Sequence, residues 1–278
     1  MKFFTKKAVF RTIAYSTFSI VVLVLAVVYI WSTIILNKTY PVPLNAVNIP
    51  RDSASIIEGK RLVQIEHCSD CHGTRLSGGN IESFTAPNLT RIIPTYSDAE
   101  LERLLKYGVR KNGRSVYVMP IYMFHQLQDE SFVKIIAYLR TLQVLPSTPG
   151  IPDENSFNFR RRLEIISGKI YPEMISPDIP RPYIYHDTTA VATGQYLAMT
   201  VCTSCHGADL KGITGFSTNL IIASAYPKDA FFKLLRTGVA LGDRELVLMT
   251  KISRNNLHYL NDKEINDIYA YLKTKPTQ

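Results

Sequence analysis

The chain has 278 residues, 46% of them hydrophobic, a formal net charge of +9 and four cysteines. That length admits two domains of about 100 residues with connecting segments. Lys2, Lys6, Lys7, Arg11, Lys38 and Arg51 concentrate the charge in the first 51 residues, which hold no acidic side chain, so the rest is close to neutral and nucleic acid is not an expected partner.

From 12 to 36 the run TIAYSTFSIVVLVLAVVYIWSTIIL carries no charge. About 20 apolar residues cross a hydrocarbon core of roughly 30 Å, so the run predicts one spanning helix. The lysines and arginine before it place the N-terminus in the cytoplasm and export the rest. The run is longer than a signal-peptide core of roughly 7 to 15 residues, and no A-x-A-like site follows it. The expectation is an uncleaved, single-pass anchor in a bacterial inner membrane, with Tyr29 and Trp31 near its outer edge. Residues 1–51 would comprise N-terminus, anchor and linker.

Beyond the anchor the sequence repeats itself. HCSDCHG at 67–73 returns as VCTSCHG at 201–207, LLKYGV at 104–109 as LLRTGV at 234–239, and IIAYLRT at 135–141 as DIYAYLKT at 267–274. The predicted fold is mostly α: the anchor helix, then two tandem helical domains at 52–145 and 186–278, joined by a Pro-rich connector at 146–185. Each domain opens with a helix, 53–67 or 187–201, whose apolar face is Ile56, Leu62 and Val63 or Tyr196, Leu197 and Val201. A middle helix follows at 97–108 or 227–238, closed by Gly108 or Gly238. The last helix, 129–142 or 262–274, is expected to be capped by Asp129 or Asp262. Pro146, Pro149, Pro152, Pro172, Pro177, Pro180 and Pro182 make the connector semi-rigid.

Cys68, Cys71, Cys202 and Cys205 all belong to the two motifs, leaving none for a structural disulfide. A C-x-x-C pair alone fits a thioredoxin-like couple or half of a zinc site. The following histidine points elsewhere: two thiols three positions apart can add to the vinyl groups of one haem, with the imidazole under the iron. Zinc would need two further ligands per motif, and a thioredoxin-like couple would want a preceding strand where both motifs follow helices. The motifs therefore predict two covalently attached haem c groups, with His72 and His206 as proximal iron ligands. A thioether on the opposite face raises the potential of an electron carrier. Met119, before Pro120, is the first candidate, with Met123 as competitor; Met249, before Thr250, is the second, with His258 as rival. His67, His125, His186 and His258 otherwise read as surface or packing histidines. Arg160, Arg161 and Arg162 read either as a clamp on propionates or lipid headgroups, or as a solvated helical turn.

These residues resemble class I c-type cytochromes, specifically the membrane-anchored dihaem cytochromes that serve bacterial dehydrogenases and respiratory complexes as electron-transfer subunits. The resemblance covers about residues 52–145 and 186–276 and is carried by APNLT at 86–90, DAELERLLKYGVRKNGRSVYVMP at 98–120 and LQDESFVKIIAYLRTL at 127–142. It implies that the Pro87 carbonyl meets His72, that Gly59 packs on Tyr138, and that Gly194 repeats this on Tyr271. The second unit departs from the pattern at Thr218 and Thr250, where the first has Pro87 and Pro120.

The expected function is electron transfer from a dehydrogenase or respiratory complex to an oxidase or another cytochrome, with membrane lipid as a further partner and no catalytic residues of its own. A dihaem peroxidase, for which His125 or His258 would be suspected, and a haem-based sensor are the alternatives.

Overall fold

The computed structural model describes residues 6–81, 84–151, 157–181 and 187–275, so Lys2, Pro152, Pro182 and His186 lie outside the described residues. The chain is mostly α-helical. Helix α1, Lys6–Asn37, is long and apolar enough to cross a membrane. Most of its surface is exposed, but Val28 and Ser32, one turn apart near its C-terminal end, are buried.

In the first unit, α2 (Ser53–Ile65) begins at Asp52, whose carboxylate accepts from the Ser55 amide at 2.8 Å. The single turn α3 (Cys68–His72) follows, then a hairpin of β1 (Ser77–Ile81) and β2 (Phe84–Asn88) in which Gly79 pairs with Ala86. Short α4 (Leu89–Ile92) leads to α5 (Asp98–Tyr107), which carries a reciprocal Ser97–Glu100 capping box and ends on Gly108 at φ 69°. One-turn α6 (Ile121–Phe124) and α7 (Asp129–Leu139) complete the unit.

Helix α2 crosses α7 where a methyl group on Gly59 would lie 1.9 Å from the Lys134 carbonyl oxygen and 3.0 Å from Tyr138 Cβ. The absent side chain is what lets the two backbones touch. Leu62, Val63, Leu101, Ile121, Phe132 and Ile136 fill the core around this crossing.

The second unit repeats the frame with α9 (Ala190–Leu197), α10 (Thr203–His206), α11 (Lys228–Thr237), a small hairpin of β3 (Val239–Ala240) and β4 (Arg244–Glu245), α12 (Val247–Asn255) and α13 (Asp262–Lys273). Gly194 repeats the crossing on α13: its nearest neighbour is the Asp267 carbonyl oxygen, 1.8 Å from the position of a methyl group and four positions before Tyr271, as Lys134 is four before Tyr138.

Two local expectations are corrected. The last helices are not capped by Asp129 and Asp262, which lie one position inside. Gln128 precedes α7 without a side-chain cap, and Asn261 caps α13 in a capping box with Glu264, which frees the two aspartates to pair with Lys106 and Arg236. The helices leading to the motifs also stop early, and differently. Helix α2 breaks at His67, in the left-handed region at φ 60°, whereas α9 widens into a π-turn at Ala198–Cys202 that runs straight into α10.

The connector straps the first unit. Asn88 Nδ2 donates to Ser147 Oγ at 3.2 Å, and the amides of Glu173 and Ile175 donate to the carbonyls of Val116 and Tyr107 at 3.0 and 3.1 Å. Between these contacts lies α8, Phe159–Ile166, which holds the arginine cluster. It is not a free solvated turn, because it packs on the end of α1, and its Arg161 guanidinium lies 3.9 Å over the Phe84 ring of β2. Arg162 Nη1 donates to Ser32 Oγ at 2.8 Å and Thr33 Oγ1 at 3.0 Å, and its guanidinium lies 4.7 Å over the Tyr29 ring.

The two units are packed together. Ile65 of α2 belongs to the core of the second unit, beside Tyr196, Leu197 and Leu260. Arg61 is bonded at 2.8 Å to both Glu264 oxygens, and Tyr196 Oη donates to Ser131 Oγ at 3.1 Å.

Candidate functional site

Cys68 and Cys71 lie three positions apart on α3, and Cys202 and Cys205 bracket the end of the π-turn and α10, so each pair shares a helical face. All four are free thiols, partly buried. Burial pushes Cys71 up to about 11 and Cys202 to about 12, and raises Cys68 and Cys205 as well. A disulfide-exchanging or zinc-binding cysteine needs the opposite shift, toward thiolate. Among the described residues no group of three or more His, Cys, Asp and Glu side chains could hold a metal ion. The zinc reading of the motif therefore lacks the further ligands it needs among the described residues.

Each motif is held from both sides. Gly73 and Gly207 end the turns at φ 80° and 79°. Strand β1 passes so close that a methyl on Gly79 would sit 2.3 Å from the Cys71 carbonyl oxygen. His72 Nδ1 lies 2.8 Å from the Pro87 carbonyl, and His206 Nδ1 lies 2.7 Å from that of Thr218. A carbonyl can only accept, so Nδ1 carries the proton and Nε2 is left with its lone pair, as an iron ligand requires. Burial also lowers the His72 pKa, which favours the neutral ring. Thr218 in place of Pro87 thus changes little, because the bond uses main chain. The next residue shapes that carbonyl in both units: Asn88 accepts from the Thr90 amide at 3.0 Å and Asn219 from the Ile221 amide at 2.9 Å.

The methionines stand in unlike settings. Met119 is partly buried at the edge of the first core, between Val118, in the left-handed region at φ 71°, and Pro120. Its competitor Met123 is 1% exposed inside that core, so it is filling. Met249 is partly buried against the second core on the first turn of α12. Thr250, which replaces the proline, holds that turn: its hydroxyl accepts from the Leu246 amide at 2.8 Å and donates to the Gly238 carbonyl at 2.6 Å. His258 is exposed, with its ring 4.0 Å from that of Tyr259. His125 is buried, with Nδ1 bonded to the Lys106 carbonyl at 2.7 Å. His258 thus sits as a surface histidine and His125 as a packing one.

Three residues at the site went unread as functional in the sequence. His67 spans the units, with Nδ1 3.1 Å from Asp70 Oδ2 and Nε2 3.1 Å from the Val201 carbonyl. Tyr122 Oη donates at 3.1 Å to the carbonyl of Thr203, inside the second motif. Glu66 is fully buried beside Cys68; burial raises its pKa to about 8, and its Oε2 has no hydrogen-bond partner. The available signal was position: all three lie within a few residues of a motif or of Met119.

Paired thiols beside an imidazole whose Nε2 keeps its lone pair suit addition to a porphyrin's vinyl groups, and that chemistry defines a class of protein that carries haem through thioether bonds. The chain belongs to the cytochrome c family, whose model matches residues 56–143 and 191–275, one segment over each unit. Members of that family hold covalently bound haem c and transfer electrons. The chain is also 25% identical over 282 aligned positions to the fructose dehydrogenase cytochrome subunit of Gluconobacter japonicus. The match covers 87% of this chain and 56% of that relative, so the chain spans little more than half of the relative's length.

Proposed function

We propose that this protein is a membrane-anchored electron carrier with two haems, attached through Cys68 and Cys71 and through Cys202 and Cys205. His72 and His206 are the proximal ligands, and Met119 and Met249 the distal ones. The haems supply one-electron exchange at iron when bound. The protein's own part is to bind them, fix each imidazole through Pro87 or Thr218, and exclude water with the two cores. α1 is the anchor, crossing with the N-terminus in the cytoplasm and leaving both units on the periplasmic side. A dehydrogenase, as for the Gluconobacter relative, is the donor, and an oxidase or a second cytochrome the acceptor.

The observation that supports this reading is that the two attachment turns abut through His67 and Val201, while Tyr122 of α6 reaches the second turn at Thr203. Haems attached at these two turns would be neighbours, the arrangement that direct electron exchange between them requires. Denaturing haem quantitation on the membrane-extracted chain is the test, expected to return two haems per polypeptide, and one would refute the pairing. The oxidised protein should show the near-infrared sulfur-to-iron absorption of methionine-ligated haem. Peroxide turnover by a high-spin haem would transfer the assignment to a peroxidase. Co-purification from membranes identifies the donor.

A further inference from the structure

We infer that α8 and the turn after it form a binding site for anionic phospholipid headgroups on the exported face of the membrane, seating the globular part beside its anchor. This rests on the membrane reading above and adds a site and a lipid class to it. About 20 residues of hydrocarbon span counted from Thr12 reach the membrane surface near Trp31, so the last turns of α1 stand at headgroup level. That is the stretch α8 grips. Besides the Arg162 contacts with Tyr29, Ser32 and Thr33, the Phe159 and Tyr29 rings stack with centroids 6.3 Å apart. The depth of α8 is therefore set by the anchor.

A shallow groove of about 510 Å³ is lined by Arg160, Leu163, Glu164, Ile166, Ser167 and Lys169. The Arg160 side chain is 83% exposed, and Leu163, three positions on and so on the same face, is 39% exposed. Glu164 is engaged by Arg161 and, at 3.3 Å, by Arg160, so one acidic group is shared by two cations, while exposed Lys169 pairs with no acidic side chain among the described residues. Exposed Lys38 and Arg114 add charge where α1 leaves the membrane, Arg114 being tied there by a β-bridge to Thr39. A basic rim over exposed Leu163 and half-buried Ile166 matches a phosphate above the start of its acyl chains. Each basic group near an anionic surface contributes roughly fivefold in binding, an advantage a zwitterionic lipid lacks.

The test uses the full haem-loaded chain in nanodiscs of phosphatidylcholine alone or with phosphatidylglycerol, read by hydrogen–deuterium exchange over 159–170. Exchange there should be at least about fivefold slower with phosphatidylglycerol, and R160E/K169E should remove the difference. High salt should weaken it, because surface attraction is screened. R160Q/K169Q serves if the double reversal misfolds, as judged by its haem spectrum, and should reduce the difference. Equal exchange in the two lipids, or a difference that survives both variants, overturns the lipid site. A chain that fails to float with either nanodisc overturns instead the anchor on which the site depends.

Discussion

His67 Nε2 stands 3.1 Å from the Val201 carbonyl, so the residue before Cys68 touches the residue before Cys202. Its other ring nitrogen meets Asp70 within the first motif, which makes His67 a brace between the two attachment turns. His67→Ala removes both bonds and frees a left-handed position that favours glycine over alanine. A loss of about 1 kcal/mol is expected, appearing as weaker coupling between the unfolding of the two units, together with slower electron exchange between the haems. Chemical denaturation and rapid-mixing reduction check the two effects separately. If neither changes, the brace is irrelevant.

Arg61 joins the units more strongly. It bonds Glu58 in its own helix and both Glu264 oxygens across the interface, and both side chains of the cross-interface pair are largely shielded. A double-mutant cycle with Arg61→Ala and Glu264→Ala should give a coupling of about 1 to 2 kcal/mol, above that of an exposed pair. Glu264 also caps α13, so Glu264→Ala alone should cost more than the pair term.

Glu66 gives a pH dependence with a definite sign. Its pKa is raised from 4.5 to about 8 by burial, against an opposing pull from the Thr200 hydroxyl that falls short of a formed hydrogen bond. The folded chain thus keeps a proton that the unfolded chain loses. Stability is highest below about pH 4.5, falls as pH rises toward 8, and levels off beyond. Glu66→Gln should flatten that slope. Ionised Glu66 would also place negative charge beside Cys68 and Cys202, whose thiols it already pushes upward, so both haem potentials should drop as pH passes about 8. Potentials of the glutamine variant that fall just as steeply would assign the effect elsewhere.

Gly59→Ala and Gly194→Ala should be among the most damaging small substitutions. The added carbon would sit 1.9 or 1.8 Å from a carbonyl oxygen of the facing helix, and no side-chain rotation relieves a backbone clash. Losses of about 3 kcal/mol or more are expected, seen as reduced haem incorporation and a lower melting temperature. Gly168→Ala is a control with open space around it, although its φ of 74° carries a small strain.

Much of this was legible in the sequence because it is written in local signals. The repeated motifs, the glycines at 108 and 238 and the 3.6-residue periodicity each act within one element. The helix crossing at Gly59 was legible only through the family resemblance. The rest depends on how the units meet. Nothing near position 67 announces a bond to residue 201, and the carbonyls that Pro87 and Thr218 offer are main-chain atoms, so the apparent departure at Thr218 is no departure in contact. Likewise, the aspartates at 129 and 262 fit a cap as well as the residues before them, until tertiary partners such as Lys106, Arg181 and Arg236 claim them.

The distal sides should distinguish the haems. Met119 is held by Pro120 and the strained Val118, whereas Met249 depends on one hydroxyl, that of Thr250, bonded on both sides. Thr250→Val keeps the shape but leaves the Leu246 amide and the Gly238 carbonyl without that partner, at a cost of about 1 to 3 kcal/mol if both stay dry. The turn that presents Met249 should loosen. About half of the near-infrared sulfur-to-iron absorption should weaken and the potential of the haem on the Met249 side should fall, while that of the Met119 haem is unchanged. Met249→Ala should remove that half outright and Met119→Ala the other. The wild-type protein should accordingly titrate with two separate midpoints, and a single shared midpoint would mean that the loop around Met119 and the helix around Met249 present their sulfurs equally well.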